Sequence, residues 1–209
     1  MVIAIGTFAM FQSCNITAIR GNGNLVTSEK PVSAFEKISS AGSAEVRYHA
    51  SEGYRVVVTV DENLDEYVEI STNNNELKIG TKMRGSYSFT KFLVDVYCPV
   101  ITSVSTTGSG NFGGNIECDN FSAKITGSGS ITITGKSEDA NITITGSGSF
   151  NSNDFHVKNA TVKTTGSGNA NISVEDNLKA NVTGSGEINY SGEPKVESKV
   201  TGSGSVNKR

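Results

Sequence analysis

Tryptophan is absent from this chain, proline occurs three times and histidine only twice in 209 residues. Apolar residues make up 35%, below the ~45–50% usual for globular domains on a count that also includes glycine. So little apolar material argues against a compact multilayer core and for a thin one, a single side chain deep. Lysine and arginine number 18 against 21 aspartate and glutamate, a net charge of −3. That balance lacks the clustered basic footprint of a nucleic-acid binder, and nucleic acid is excluded as a partner. His49 and His156 have no companion at a metal-ligand spacing, and neither a metal nor any other cofactor is expected.

The apolar run Val2 to Phe11 is ten residues long, the length of a signal-peptide core and too short to span a bilayer. Gln12-Ser13-Cys14 follows it. A small residue directly before a cysteine resembles a lipoprotein cleavage site, at which Cys14 is lipidated and becomes the mature N-terminus. The other reading is a buried first strand; no Lys or Arg precedes the run, and Phe11 stands where such sites usually carry Leu. Residues 1–14 are thus expected to be a signal segment. Residues 15–30, with Gly21-Asn22-Gly23-Asn24, are expected to be a flexible tether.

What the chain has in abundance is glycine, 23 residues. Much of it lies in one word, Thr-Gly-Ser-Gly, beginning at Thr107, Thr126, Thr145, Thr165, Thr183 and Thr201. Its first glycines are Gly108, Gly127, Gly146, Gly166, Gly184 and Gly202, spaced by 19, 19, 20, 18 and 18 residues. A fixed short period marks a solenoid, whose units cannot bury their apolar faces alone. Before each word, alternate positions are apolar or small: Phe121, Ala123, Ile125; Ala140, Ile142, Ile144; Ala160, Val162, Thr164; Leu178, Ala180, Val182; Val196, Ser198, Val200. After it stand Phe112, Ile131, Phe150, Ala170, Ile188 and Val206, with Ile133, Ile172 and Tyr190 two residues further on. A period of two means short strands with one face turned inward. The glycines fall where the chain must turn. Six coils stacked at ~4.8 Å give a parallel β-solenoid segment roughly 29 Å long. No apolar residue recurs every six positions, as a left-handed helix of hexapeptide steps would require, so the expected fold is all-β, a right-handed parallel β-helix.

Six such corners behind the stretch Phe35 to Leu64, FEKISSAGSAEVRYHASEGYRVVVTVDENL, resemble the GIN-domain family of auto-transporter-like adhesins of Bacteroidetes-type bacteria. The resemblance covers roughly residues 32–207. It implies a right-handed β-helix and an adhesin-head role given by similarity, in a domain of unassigned function. It supplies no catalytic or binding residues to carry over.

Residues 31–106 are strand-like but less regular and are expected to form wider first coils that cap the rod, with the repeats proper at 107–209. Ala44 to Tyr48 and Tyr54 to Val60 alternate about a turn at Glu52-Gly53; Val68 to Ile70 and Leu77 to Ile79 flank a turn at Asn73 to Asn75. Residues 61–67 suit one helical turn with Leu64 and Val68 on one side, and Ser40 to Ala44 reads as a decayed corner. Five residues after the last Gly-Ser-Gly stand Lys208-Arg209, whose charge could blunt the strand edge. The other reading is end-to-end self-association, or docking of a partner, at the C-terminal coil.

Chemistry is sparse. The corner words carry no acid for calcium and no following Lys and helix for a phosphate, so they are read as turns. The threonine column beside them should face outward as a hydroxyl ladder. The lysines at 124, 163 and 199, two residues before it, spoil the flat plane that ice binding needs, but the surface suits weak carbohydrate contact. Asp119, Asp139, Asp154 and Asp176 scatter at loop positions; Asp119 and Asp176 share a column three coils apart, roughly 14 Å, too far for a glycosidase pair. Cys98 and Cys118, 20 residues apart, fall near register on adjacent coils, where either a disulfide or two free thiols fits. The expectation is a non-enzymatic lipoprotein of the cell envelope, held in the outer membrane through its lipid. Its role is structural or adhesive, toward a cell-surface glycan or another envelope protein. The rival is a pectinase- or lyase-like β-helix enzyme, which three or more charged side chains converging in one groove would favour.

Overall fold

The computed structural model describes residues 18–82 and 86–209; the lipidation candidate Cys14 and the apolar run before it lie outside those residues. The chain opens with β1 (Ile19–Arg20), β2 (Leu25–Lys30), β3 (Lys37–Gly42), β4 (Glu45–Ala50) and β5 (Arg55–Asp61). A short 3-10 helix, Glu62–Tyr67, leads to β6 (Val68–Asn73), β7 (Glu76–Thr81), β8 (Tyr87–Ser88), β9 (Phe92–Cys98) and β10 (Ser103–Gly108). Then come four strands long enough to make a whole coil each: β11 (Asn111–Gly127), β12 (Ser130–Gly146), β13 (Ser149–Gly166) and β14 (Asn169–Gly184). Three part-coil strands close the chain, β15 (Glu187–Ser191), β16 (Lys195–Gly202) and β17 (Ser205–Lys208).

The expected β-solenoid is present. Thr107, Thr126, Thr145, Thr165, Thr183 and Thr201 pair in that order through parallel ladders, and the first glycines pair likewise from Gly108 to Gly202. Inward positions fill as the period of two requires. Phe121, Ala123 and Ile125 are buried, as are Ala140, Ile142, Ile144, Ala160, Val162, Leu178, Ala180 and Val182. They form columns of like residues, so each coil buries its face against the coils on either side. Thr164 is also buried, with a hydroxyl that finds no partner.

The corner explains the glycines. Gly146 has φ of +108°, a region in which a side chain is strained. A Cβ there would also stand 2.6 Å from the carbonyl oxygen of Gly127, one coil below. That same oxygen accepts the N–H of Ser147 at 2.9 Å. One corner below, Gly108 O accepts from both Ser128 N and Gly129 N, at 2.9 and 3.0 Å. Corner N–H groups therefore point along the rod into the previous corner and are spent there. The reading of the word as a turn stands, since these groups are not open to an anion.

The stack begins earlier than the boundary at 106/107 drawn from the sequence. Gly42, with φ of +99°, lies in register beneath Gly108, and β3 pairs with β10 in parallel. The decayed corner is thus a working one, and β3–β4 is already a coil. What lies between β4 and β9 is an elaboration that covers the first end of the stack. β6 and β7 form the expected hairpin, with Asn74 and Asn75 both at positive φ, as a two-residue primed turn demands. Its β7 pairs with β3, leaving β6 as the outer strand. Leu64 and Val68 are both buried, as the helical-turn reading requires. In contrast, β4 and β5 do not pair with each other across Glu52-Gly53; β9 lies between them, parallel to β4 and antiparallel to β5.

The tether expected over residues 15–30 is corrected within its described part. β2 runs antiparallel to β5 from Leu25↔Asp61 to Lys30↔Val56, with Val26 against the core. The physical reason is a buried anchor. Asp61 is fully buried and accepts the N–H of Gly23 at 2.9 Å and of Thr90 at 2.8 Å. Burial pushes this carboxyl up. The backbone N–H groups of Thr90, Gly23 and Lys91 and the Thr90 hydroxyl outweigh that and hold it below its ordinary value. Glycines at 21 and 23, read as flexible from sequence, are instead there to wrap a carboxylate: a Cβ on Gly21 would collide with it.

Two predictions follow from this frame. Gly146→Ala should cost about 2 kcal/mol or more of unfolding free energy. Gly113→Ala, whose Cβ would meet only Thr132 O at an ordinary 3.7 Å, should be neutral or stabilise by about 0.5 kcal/mol; urea midpoints of both variants check the pair. Because the folded Asp61 carboxyl titrates lower than the unfolded one, its stabilisation is present above about pH 4. It is lost as pH falls through the folded value. Asp61→Asn should lower the urea midpoint at pH 7 and flatten its fall between pH 5 and pH 2.5.

Candidate functional site: grooves beside the coil bend

The ladders between neighbouring long strands share one break at the same repeat position, where the coil bends. Between β11 and β12 the ladder passes from Cys118↔Ser137 to Asn120↔Asp139, skipping one pair; between β13 and β14 it shifts between Val157 and Asn159. Small polar side chains stitch this corner locally. The Ser137 hydroxyl lies 3.0 and 2.9 Å from the carbonyl oxygens of Asp119 and Asp139. Cys118 Sγ donates to Asn120 O at 3.4 Å, and Cys98 Sγ reaches Val100 O at 3.7 Å.

Cys98 and Cys118 thus hold equivalent local positions, but they are free thiols. The adjacent-coil reading behind a disulfide is corrected by β4, which pairs with β9 on one side and β11 on the other. Two strand spacings, roughly 10 Å, exceed the Cα separation a disulfide tolerates. Burial pushes the Cys98 thiol up to about 12 and raises that of Cys118 as well. Tyr48, whose hydroxyl donates to the Cys98 and Pro99 carbonyls at 3.3 Å, is likewise pushed up to about 12 by burial.

The threonine column is in register, as the ladders above establish. Five of its members are exposed and Thr126 is half-buried. The structure therefore brings the predicted hydroxyl ladder together in one column, which lines neither of the two grooves below.

The concave surface lies elsewhere, just past the bend. A groove of about 780 Å³ runs along the rod from Lys37 and Thr102 to Lys195 and Glu197. Its floor is the buried column Phe121, Ala140, Ala160, Leu178, and its walls are the residues on either side. One wall reads Asn120, Asp139, Asn159, Asn177, Lys195, paired coil to coil. Asn177 Nδ2 donates to Asn159 Oδ1 at 2.8 Å, and Asn159 Nδ2 to Asp139 Oδ1 at 3.0 Å. The other wall reads Ser122, Asn141, Thr161, Lys179, Glu197. Sequence reasoning missed this site, although its signal was present: counted back seven from Gly127, Gly146, Gly166, Gly184 and Gly202, the chain reads Asn, Asp, Asn, Asn, Lys. Asp139 was set aside as a loop residue, yet it lies within β12.

A second groove of about 630 Å³ precedes the bend and collects charge: Glu117, Asp119, Glu138, Asp154, Glu175, Lys136, Lys158 and His156. Comparing only aspartates overlooked Glu138, which stands one coil from Asp119. Two of the five acids meet lysines in exposed pairs, Lys158 with Glu138 at 2.5 Å and Lys136 with Glu117 at 3.9 Å. His156 Nδ1 lies 3.1 Å from the Ser173 hydroxyl. Among the described residues no three His, Cys, Asp or Glu side chains are grouped to hold a metal, and no helix is long and apolar enough to cross a membrane.

A stacked parallel β-solenoid is the class this architecture defines, and comparison with known proteins agrees. Residues 34–194 match the family described as "Putative auto-transporter adhesin, head GIN domain", and the chain belongs to that family. A crystal structure described as a "putative adhesin" from Parabacteroides merdae is 28% identical, with a TM-score of 0.57 over 92% of this chain and 99% of that one. Another, described as a "putative lipid binding protein" from Parabacteroides distasonis, is 26% identical with a TM-score of 0.56 over the same shares. A "putative adhesin" from Bacteroides fragilis superposes with a TM-score of 0.76 over 92% and 100% at 17% identity, a likeness of fold. No curated protein matches. The family places the chain among proteins of the cell surface or envelope.

The thiol geometry is directly testable. In the denatured, unreduced protein Cys98 and Cys118 should both react with a thiol reagent, while in the native protein at pH 7 both should react slowly.

Proposed function

We propose that this chain is a non-enzymatic, adhesive module of the cell envelope, tethered to the outer membrane by lipid on Cys14, and that carbohydrate is its ligand. One observation carries the reading: a groove along the rod whose walls hold an amide or hydroxyl side chain on each of the five successive levels from Thr102 to Asn177. The family membership supports it. A rod with its first end covered by the β6–β7 hairpin suits a module that presents its sides to a ligand. The partly exposed Val196 and Val200 on β16 make that strand the place where a second copy or another envelope protein would dock end to end.

A second reading, polysaccharide cleavage, is favoured by the charged groove before the bend, where Asp119 and Glu138 stand on successive coils. The two readings separate on one preparation. On a glycan array the purified protein should bind a subset of glycans, and those glycans should be recovered uncleaved, with no new reducing ends, after prolonged incubation. Release of shortened products that is abolished by Glu138→Gln would establish the enzymatic reading instead. Mass measurement of the mature protein from membranes should find a lipid adduct on Cys14.

A further inference from the structure

We propose that the groove past the bend takes an unbranched, neutral glycan laid parallel to the rod axis, with about one sugar unit per coil. The proposal rests on the carbohydrate reading above and gives it a site, a direction and a ligand class.

The argument starts from what the groove offers. The backbone of the coils on both sides is paired along the rod, so the groove presents no strand edge to which a peptide could add. Recognition must come from side chains, and these alternate in a way that suits a sugar. The floor at Ala140 and Ala160 is apolar and low, open to the C–H face of a pyranose ring. Each wall amide keeps hydrogen-bonding capacity after the ladder is made. Asn177 spends one of its two Nδ2 hydrogens on Asn159, and Asn159 spends one on Asp139. A second hydrogen on each remains for a ligand hydroxyl. The ladder also fixes the amide orientations, so little side-chain entropy is left to lose on binding.

Spacing selects the polymer. Donors and acceptors recur every ~4.8 Å along the axis, close to the advance of one equatorially linked pyranose unit. From Lys37 to the strand of Lys195 six such steps span about 29 Å, room for about six or seven units. Charge along the groove is nearly balanced: Lys37, Lys179 and Lys195 stand with Asp139 and Glu197, so no cation recurs at every coil to meet a carboxylate on every unit. With no exposed aromatic ring on the floor, individual units bind weakly and affinity must accumulate with length.

The test is calorimetric titration of the full chain with β-1,4-linked glucose, mannose and xylose oligomers of about two to eight units, beside galacturonate oligomers of equal length. Affinity for at least one neutral series should rise with each unit to about six or seven and then level off, and exceed that for galacturonate. Asn159→Ala should weaken binding about fivefold or more. Asn141→Trp, an exposed wall position whose indole would overhang the floor, should abolish it without shifting the melting temperature. Thr183→Ala, in the threonine column, should leave it unchanged. Preference for galacturonate, or affinity independent of length, overturns the proposal. Glycan binding that survives both groove variants but falls with Thr183→Ala overturns the site while leaving the adhesive reading intact. Absence of binding to any glycan overturns both.

Discussion

The fold depends on one repeated contact, the seating of each Gly-Ser-Gly corner on the carbonyl of the corner below. The first-glycine carbonyl accepts N–H groups from the next coil, and the approach is so close that a Cβ on the upper glycine would stand about 2.6 Å from that oxygen at Gly127 and Gly146. This contact does two jobs. It turns the chain with a backbone conformation that side chains avoid, and it fixes the vertical register of successive coils. Once the corners are superposed, every residue counted from the corner falls into a column with its counterparts. A core of 35% apolar residues then suffices, because each inward side chain is covered by like neighbours above and below.

The same registration builds the surface. Polar side chains that would be scattered on an ordinary domain are drawn into rows: threonines at the corner edge, amides along one wall past the bend, acids and lysines before it. A row of identical groups at constant spacing matches a polymer of identical units better than it matches a compact small molecule. Past the bend, two polar rows become the walls of a groove over the buried column Phe121, Ala140, Ala160 and Leu178. Variation in coil length, from 18 to 20 residues, is absorbed between the corner and the bend, at Ile131–Gly135 and Ser152–His156, and by one further residue at Val157–Asn159; the corner keeps its spelling throughout.

Much of this was legible in the sequence because the repeat is exact where the backbone is most constrained. The glycine word, the period-two positions before it and the Asn74-Asn75 turn each have a local cause. The groove was harder to read, since its wall residues differ in type from coil to coil and share only their distance from the glycine. Non-local effects were not legible at all. The threading of β4 between β9 and β11 separates Cys98 from Cys118, although their spacing of 20 matches one coil. The strand at Leu25–Lys30 exists because β5 offers an edge and Asp61 gathers backbone N–H groups from two distant segments. Neither fact is contained in a window of neighbouring residues.

The central claim, that corners superpose along one straight edge, is best measured by pulsed electron–electron spin distances. Nitroxides on Ser109→Cys and Ser203→Cys, in a chain with Cys14, Cys98 and Cys118 replaced, sit on the first and last repeat corners. Superposed corners separated by five coil spacings predict a single narrow distribution near 24 Å. A broad or bimodal distribution, or a mean shifted by more than one or two coil spacings, would contradict the account.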